Sequence, residues 1–178
     1  MTMTRAERLG HAGARTTRVV AEIVVATVVA GVVMGVAWWL LAPDVTATVV
    51  NGEVRLDARE GQKLFGRDAV FALLAAGCGL LMAVVFSARH RHRPVTVLLA
   101  VAILGFGGSL LAELTGGLLG GSDDMAGWAD GTEHVVDLQM QSQAGLIVWS
   151  MTATVTVAVI AVFRDDRSPW AVPGAPPP

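Results

Sequence analysis

The chain has little charge and a single cysteine, and both shortages narrow the class of protein. Charged residues make up 16% of the 178 residues, whereas a soluble domain has about a quarter. The basic and acidic side chains nearly cancel, which favours neither nucleic acid nor an acidic substrate as a partner. Cys78 excludes an intrachain disulfide and any metal or redox site built from paired cysteines within one chain. With 53% apolar residues, we expect an integral membrane protein.

The sequence also lacks the motifs of common catalytic sites. It has no H-E-x-x-H, no G-x-S-x-G and no phosphate-binding P-loop. No pair of acidic residues lies in the middle of an apolar segment, where an ion-coupled transporter would need one. We therefore predict no catalytic residue, no metal ligand and no cofactor. Whether Glu113, His134 and Asp137 form a site is left open at this point.

Four apolar windows are long enough to span a membrane, whose core of about 30 Å needs roughly 20 helical residues. The predicted spans cover about 20–42, 69–88, 94–115 and 144–163. The first holds 21 charge-free residues from Ile23 to Pro43, too many for the h-region of a signal peptide. The sequence thus predicts an all-α membrane protein with a four-helix domain over 19–163, an N-terminal tail over 1–18 and a proline-rich tail over 164–178.

The distribution of lysine and arginine predicts the orientation of the spans. The two tails and the turn Arg89–Arg93 together carry nine of these residues, and the other side carries four, all in the loop 44–68. The second loop on that side, 116–143, has none. We expect a multi-pass protein of the cytoplasmic membrane with both termini inside and both of these loops outside.

The first outer loop contains a β-hairpin pattern. Two β-prone stretches, Val45–Val50 and Glu53–Leu56, flank Asn51-Gly52, a dipeptide suited to a two-residue type I′ turn. A two-stranded ribbon is marginally stable alone, so a third strand is needed, and His134–Gln141 is the candidate. The sequence predicts a small extracytoplasmic β cap.

Two further features concern the spans. Gly31 and Gly35 form a G-x-x-x-G element, which predicts close helix packing, either within the chain or in a homodimer. Glu113 lies at the outer end of the third span. It is interpreted as an interfacial carboxylate, or alternatively as an intramembrane polar site that binds a cation or a proton.

Three stretches support a family resemblance: Trp38–Pro43 (W-W-L-L-A-P), Leu64–Leu74 with its F-x-x-D element, and Gly145–Trp149. Over roughly Val20 to Val162 the chain resembles a family of uncharacterised actinobacterial four-span membrane proteins. The resemblance implies a four-helix membrane domain with an extracytoplasmic hairpin loop. It implies no activity, cofactor or catalytic residue.

Phe65 and Asp68, the ends of F-x-x-D, have two interpretations. Asp68 precedes the predicted span and fits an N-cap for a helix that begins at Ala69. Alternatively, both residues contact a protein partner, together with Asn51 and Gly52 of the hairpin.

We expect a non-enzymatic membrane protein that is an accessory or structural subunit of a cell-envelope complex. Its partners would be the lipid bilayer and a membrane or extracytoplasmic protein, and not nucleic acid. The alternatives are a small-molecule or ion channel or transporter, which needs polar residues around a pore, and a membrane-surface enzyme, which needs a catalytic constellation.

Overall fold

Four long helices and a three-stranded sheet make up the fold. A computed structural model describes residues 5–51, 53–121 and 128–164. The helices are α1 (Arg5–Leu41), α2 (Ala58–Arg89), α3 (Pro94–Leu119) and α4 (Gly145–Arg164). The strands are β1 (Thr46–Val50), β2 (Glu53–Arg55) and β3 (Glu133–Val135). The mainly helical architecture with a small sheet is confirmed, and the third strand lies at the start of the stretch predicted for it.

All four helices are long and apolar enough to cross a membrane, with windows of mean hydropathy between 2.2 and 2.6. Many of their large apolar side chains point outward, for example Val25, Leu73, Ile103 and Val162. An apolar surface of this extent is unfavourable in water but matches the hydrocarbon of a bilayer. These features fit a multi-pass membrane protein.

Two helices begin earlier than the apolar windows. α2 starts at Ala58 rather than near Ala69, because Asp57 is its N-cap and accepts a hydrogen bond from the Ala58 amide at 2.8 Å. α1 starts at Arg5, inside the predicted tail. Charged residues mark the ends of an apolar window. They do not end a helix, because Arg, Glu and Lys are good helix formers. The predicted tail beyond Arg164 lies outside the described residues.

The helices pack in the order α1, α3, α4, α2, since the main contacts are α1 with α3, α3 with α4 and α4 with α2. α1 runs parallel to α3, and α2 runs parallel to α4. The first pair is antiparallel to the second. One end of the bundle, the sheet end, carries the three strands. The other, the basic end, carries the start of α1 and the Arg89–Arg93 turn.

Small residues let the helix backbones approach closely. A Cβ atom at Gly35 would lie 2.5 Å from the Ala112 carbonyl oxygen, and one at Gly31 would lie 2.9 Å from that of Gly108. The G-x-x-x-G element therefore packs against α3 of the same chain. Trp149 of α4 fills the space over Gly105 and Gly108 in the same way.

The sheet has the order β2-β1-β3 and is antiparallel throughout. Val50 pairs with Glu53, which leaves a two-residue turn, and Asn51 has the positive φ of 56° that a type I′ turn requires. Gly52 lies outside the described residues. On the other side of β1, Ala47 pairs with His134.

The third strand is shorter than the predicted stretch 134–141. The Val136 amide still donates to the Val45 carbonyl at 2.8 Å, but pairing then stops. Leu138 turns into the helix bundle, where it is buried against Gly120, the C-cap residue of α3. Burial of this leucine replaces further sheet pairing.

We predict that Gly35→Ala lowers the melting temperature of the purified protein in detergent. The new methyl group meets α3 backbone rather than a movable side chain, and overpacking of this kind costs about 1–3 kcal/mol. The matched control is Gly77→Ala on α2, where a Cβ atom would meet nothing within 4 Å. An equal melting temperature for Gly35→Ala and the unmodified protein would contradict the close α1–α3 contact.

Candidate functional site

A buried arginine, Arg67 of α2, joins the sheet to the bundle. Only 3% of its surface is exposed. Its Nε donates to the Pro43 carbonyl at 3.0 Å, Nη1 to that of Asp137 at 2.8 Å and Nη2 to that of Val136 at 3.0 Å. One side chain thus binds the segment after α1 and the segment after β3 at once.

The helix that carries Arg67 is itself held in place at this position. Trp38 of α1 is buried and its indole Nε1 donates to the Arg67 carbonyl at 2.9 Å. Trp38 also contacts Phe71, one turn further along α2, edge to face at 5.1 Å between ring centroids. Aromatic pairs in this geometry contribute more stability than the burial of their surface alone. The part of α2 that carries Arg67 is therefore held firmly against α1.

The charge of Arg67 is partly compensated by nearby acids. Asp44 and Asp137 are the carboxylates that act on it. A buried guanidinium is costly unless its donors are bonded and its charge is balanced. Here all three nitrogens of the guanidinium donate to carbonyl oxygens, and the two carboxylates offset part of the cost of burying the charge. The planar fork of arginine suits three carbonyl oxygens in different directions.

Asp68, the next residue, holds the loop that leads into α4. Its two carboxylate oxygens accept hydrogen bonds from the Gln141 amide at 3.1 Å and the Ser142 amide at 2.9 Å. The N-cap interpretation of Asp68 was wrong, because α2 begins at Ala58 and Asp68 lies inside it. Its carboxylate binds backbone amides of a distant segment instead of its own helix.

A third contact comes from the first turn of α2. Glu60 accepts a hydrogen bond from the Thr46 amide at 2.9 Å and forms an ion pair with Lys63 at 2.8 Å. This bond satisfies the amide of a β1 residue that β2 is too short to reach.

We call the sheet with its flanking segments, 43–57 and 128–144, the cap. Glu60, Arg67 and Asp68 then form a line of side chains on α2 that fastens it.

The remaining residues singled out from the sequence lie apart from this line. Phe65 is on α2 but is 75% exposed, and Asn51 is exposed at the hairpin turn. Glu113 is half-buried on α3, and its carboxylate has no hydrogen bond or ion pair with a described residue. His134 stacks on Trp128 at 4.2 Å and its Nε2 lies 2.8 Å from Thr132 Oγ1.

No hydrogen bond, ion pair or ring contact among the described residues joins Glu113, His134 and Asp137. Asp137 takes part in the cap through its carbonyl oxygen, which Arg67 binds. Among the side chains that the structure describes, those of residues 16–51, 53–121 and 128–163, no group of three histidine, cysteine, aspartate or glutamate residues is placed to hold a metal ion.

Arg67 was missed at the level of sequence, where it was counted only among the charges of the first outer loop. A signal exists in retrospect: an arginine and an aspartate stand side by side directly before a charge-free window. Charged residues at that depth need partners. The sequence does not reveal that those partners are backbone groups of remote segments.

No family model, curated protein or solved structure matches the chain. Glu60, Arg67 and Asp68 of α2 hold a small sheet on top of the helix bundle. The candidate functional site is the surface of the sheet that these contacts hold in place, in particular the outer edge of β2.

We predict that Arg67→Ala loosens the cap while the helices remain folded. Loss of three hydrogen bonds from a charged donor should cost about 3 kcal/mol or more. In hydrogen–deuterium exchange followed by mass spectrometry, peptides over 44–57 and 131–137 should exchange faster. Arg67→Lys should be intermediate, because an ammonium group lacks the fork.

The matched control for this experiment is Arg59→Ala, which removes an exposed arginine from the same helix. It should leave exchange in the cap unchanged. If Arg67→Ala also leaves cap exchange unchanged, Arg67 does not fasten the cap.

Proposed function

We propose that the protein is a non-enzymatic accessory subunit of a cell-envelope complex, and that its cap binds a partner protein through the edge of β2. In this proposal both termini are in the cytoplasm and the cap lies outside the cytoplasmic membrane, as the distribution of basic residues predicts. The observation that carries the proposal is a β-strand edge held rigidly above the bundle by Arg67.

The hydrogen-bond pattern of β1 decides which groups this edge offers. Val49 bonds toward the β3 side, to Thr132 and Gly131. Because backbone groups alternate along an antiparallel pair, Val54, the register partner of Val49, directs its amide and carbonyl to the outer edge. An extended segment of another protein could pair with these groups by strand addition.

The side chains around the edge favour a specific partner over a purely solvated surface. Val54 is 43% exposed, and Leu56 beside it is equally exposed. Glu53 and Arg55 form only a weak, exposed ion pair at 3.6 Å. Charges on an edge strand guard against unselective pairing, while the valine between them supplies an apolar contact.

The transport and enzyme alternatives gain no support from the described residues. Two hydroxyl groups of α4 are used within the bundle, since Ser150 donates to the Ala102 carbonyl and Thr156 to that of Thr152. Trp38 and Trp149 fill the interior.

The family resemblance is retained as part of the proposal. The F-x-x-D element, Phe65 to Asp68, includes Arg67 and ends on Asp68. Both of these residues bind cap backbone, which gives the aspartate of the motif a physical reason.

A photo-reactive amino acid at Val54, activated in intact cells, tests the proposed function. We expect a discrete protein adduct, identified by mass spectrometry, because Val54 would lie against the partner strand. The control position is Leu73, an exposed residue in the apolar part of α2, which should label lipid. Absence of a protein adduct at Val54, with the chain correctly inserted, contradicts the proposal.

A backbone variant tests strand addition directly. Val54→Pro removes the outward amide but leaves the β1–β2 hydrogen bonds in place, since proline is tolerated at a sheet edge. We expect it to abolish co-purification of the partner identified by crosslinking, whereas Val54→Thr should retain it. Retention by Val54→Pro at an equal protein level would exclude recognition through this edge.

A further inference from the structure

At the basic end of the bundle, a cavity of about 260 Å³ is lined mainly by basic side chains. The lining residues are Arg18, Val19, Arg89, His90, His92 and Arg93. They come from α1 and from the turn between α2 and α3. Five of the six side chains carry a positive charge or can acquire one, so the cavity favours an anion.

Only part of this positive charge is balanced within the described residues. Glu22 of α1 forms an ion pair with Arg89 and lies 3.4 Å from His90 Nε2. Arg93 donates to the uncharged hydroxyl of Thr16. In the part of the chain that the structure describes, neither Arg18 nor Arg93 is ion-paired with a carboxylate.

An apolar groove of about 380 Å³ lies beside the cavity, between α1 and α3. Thr16 and Val20 form one wall, and Val95, Leu99 and Ile103 are among the residues of the other. From Val95 to Ile103 this wall extends roughly 12 Å along the helix axis. The groove is therefore long enough for a substantial part of an acyl chain.

The cavity and the groove are adjacent. Arg93 lines the cavity and Thr16 lines the groove, and the hydrogen bond between them marks the boundary. A ligand that used both would have an anionic group beside Arg93 and a hydrocarbon chain that runs from there toward the middle of the bundle.

We propose that the cavity and groove bind one anionic phospholipid, with its phosphate at Arg18 and Arg93 and one acyl chain in the groove. Arginine guanidinium groups match phosphate oxygens in geometry and charge. Basic pockets between membrane helices are suited to anionic headgroups. A free phosphate would use the cavity alone and leave the groove without a role. The site is at the opposite end from the cap and does not depend on the proposed function.

The test is a lipid titration of the purified full-length protein in neutral detergent, read by native mass spectrometry. The probes are phosphatidylglycerol and phosphatidylcholine with identical acyl chains. We expect phosphatidylglycerol to bind in one-to-one stoichiometry and more tightly than phosphatidylcholine. Arg18→Gln and Arg93→Gln should each weaken phosphatidylglycerol binding about fivefold, which corresponds to about 1 kcal/mol per basic residue.

Two matched controls separate this site from general attraction to the lipid. Arg55→Gln removes an exposed arginine at the sheet end and should leave binding unchanged. Leu99→Trp places bulk in the groove and should weaken phosphatidylglycerol binding, whereas Leu73→Trp, on an exposed position of α2, should not. Arg18 is exposed, so Arg18→Gln should fold normally, as a single gel-filtration peak would verify.

Three results would overturn the proposal. The first is equal binding of phosphatidylglycerol and phosphatidylcholine. The second is an equal loss of binding in Arg55→Gln and Arg18→Gln. The third is displacement of phosphatidylglycerol by an equal concentration of inorganic phosphate with no effect of Leu99→Trp, which would assign the cavity to a free anion.

Discussion

The burial of one guanidinium group governs how the sheet sits on the bundle. Taking an arginine out of water costs several kcal/mol unless its donors are bonded and its charge is balanced. The donors of Arg67 are bonded to carbonyl oxygens of Pro43, Val136 and Asp137, and nearby carboxylates offset part of the cost of burying its charge. Each of these bonds restricts a different part of the chain: the segment after α1 and the end of the third strand must both come to the same point on α2.

The rest of the bundle depends on a different constraint, the close contact of small residues. In lipid there is no hydrophobic force between helices, so association comes from packing and hydrogen bonds. Gly31 and Gly35 let α1 approach α3, and Gly108 provides room for Trp149 as well as for α1. Because α2 contacts α1 and α3 little, the cap contacts of Glu60, Arg67 and Asp68 also tie α2 to the chain segments that follow α1 and precede α4.

The two ends of the molecule differ in chemistry. At the sheet end, Arg67 is enclosed by carbonyl groups and acids, and the free sheet edge presents hydrogen-bonding groups suited to another polypeptide. At the basic end, Arg18 and Arg93 border an apolar groove, a combination suited to an anionic amphiphile. A protein partner at one end and a lipid at the other would both be compatible with an accessory membrane subunit.

The sequence by itself determined the features that depend on local composition. Runs of apolar residues identify the four helices, and Asn51-Gly52 between β-prone stretches identifies the hairpin, because each signal involves neighbouring residues. The predicted start of α2, Ala69, is eleven residues later than the observed start, Ala58, since a charged stretch of helix resembles a loop when only apolar windows are counted. Only the tertiary structure decided the roles of Arg67 and Asp68. The acceptors of Arg67 are 24, 69 and 70 residues away in the chain and are backbone carbonyls, which every residue possesses and no sequence pattern distinguishes.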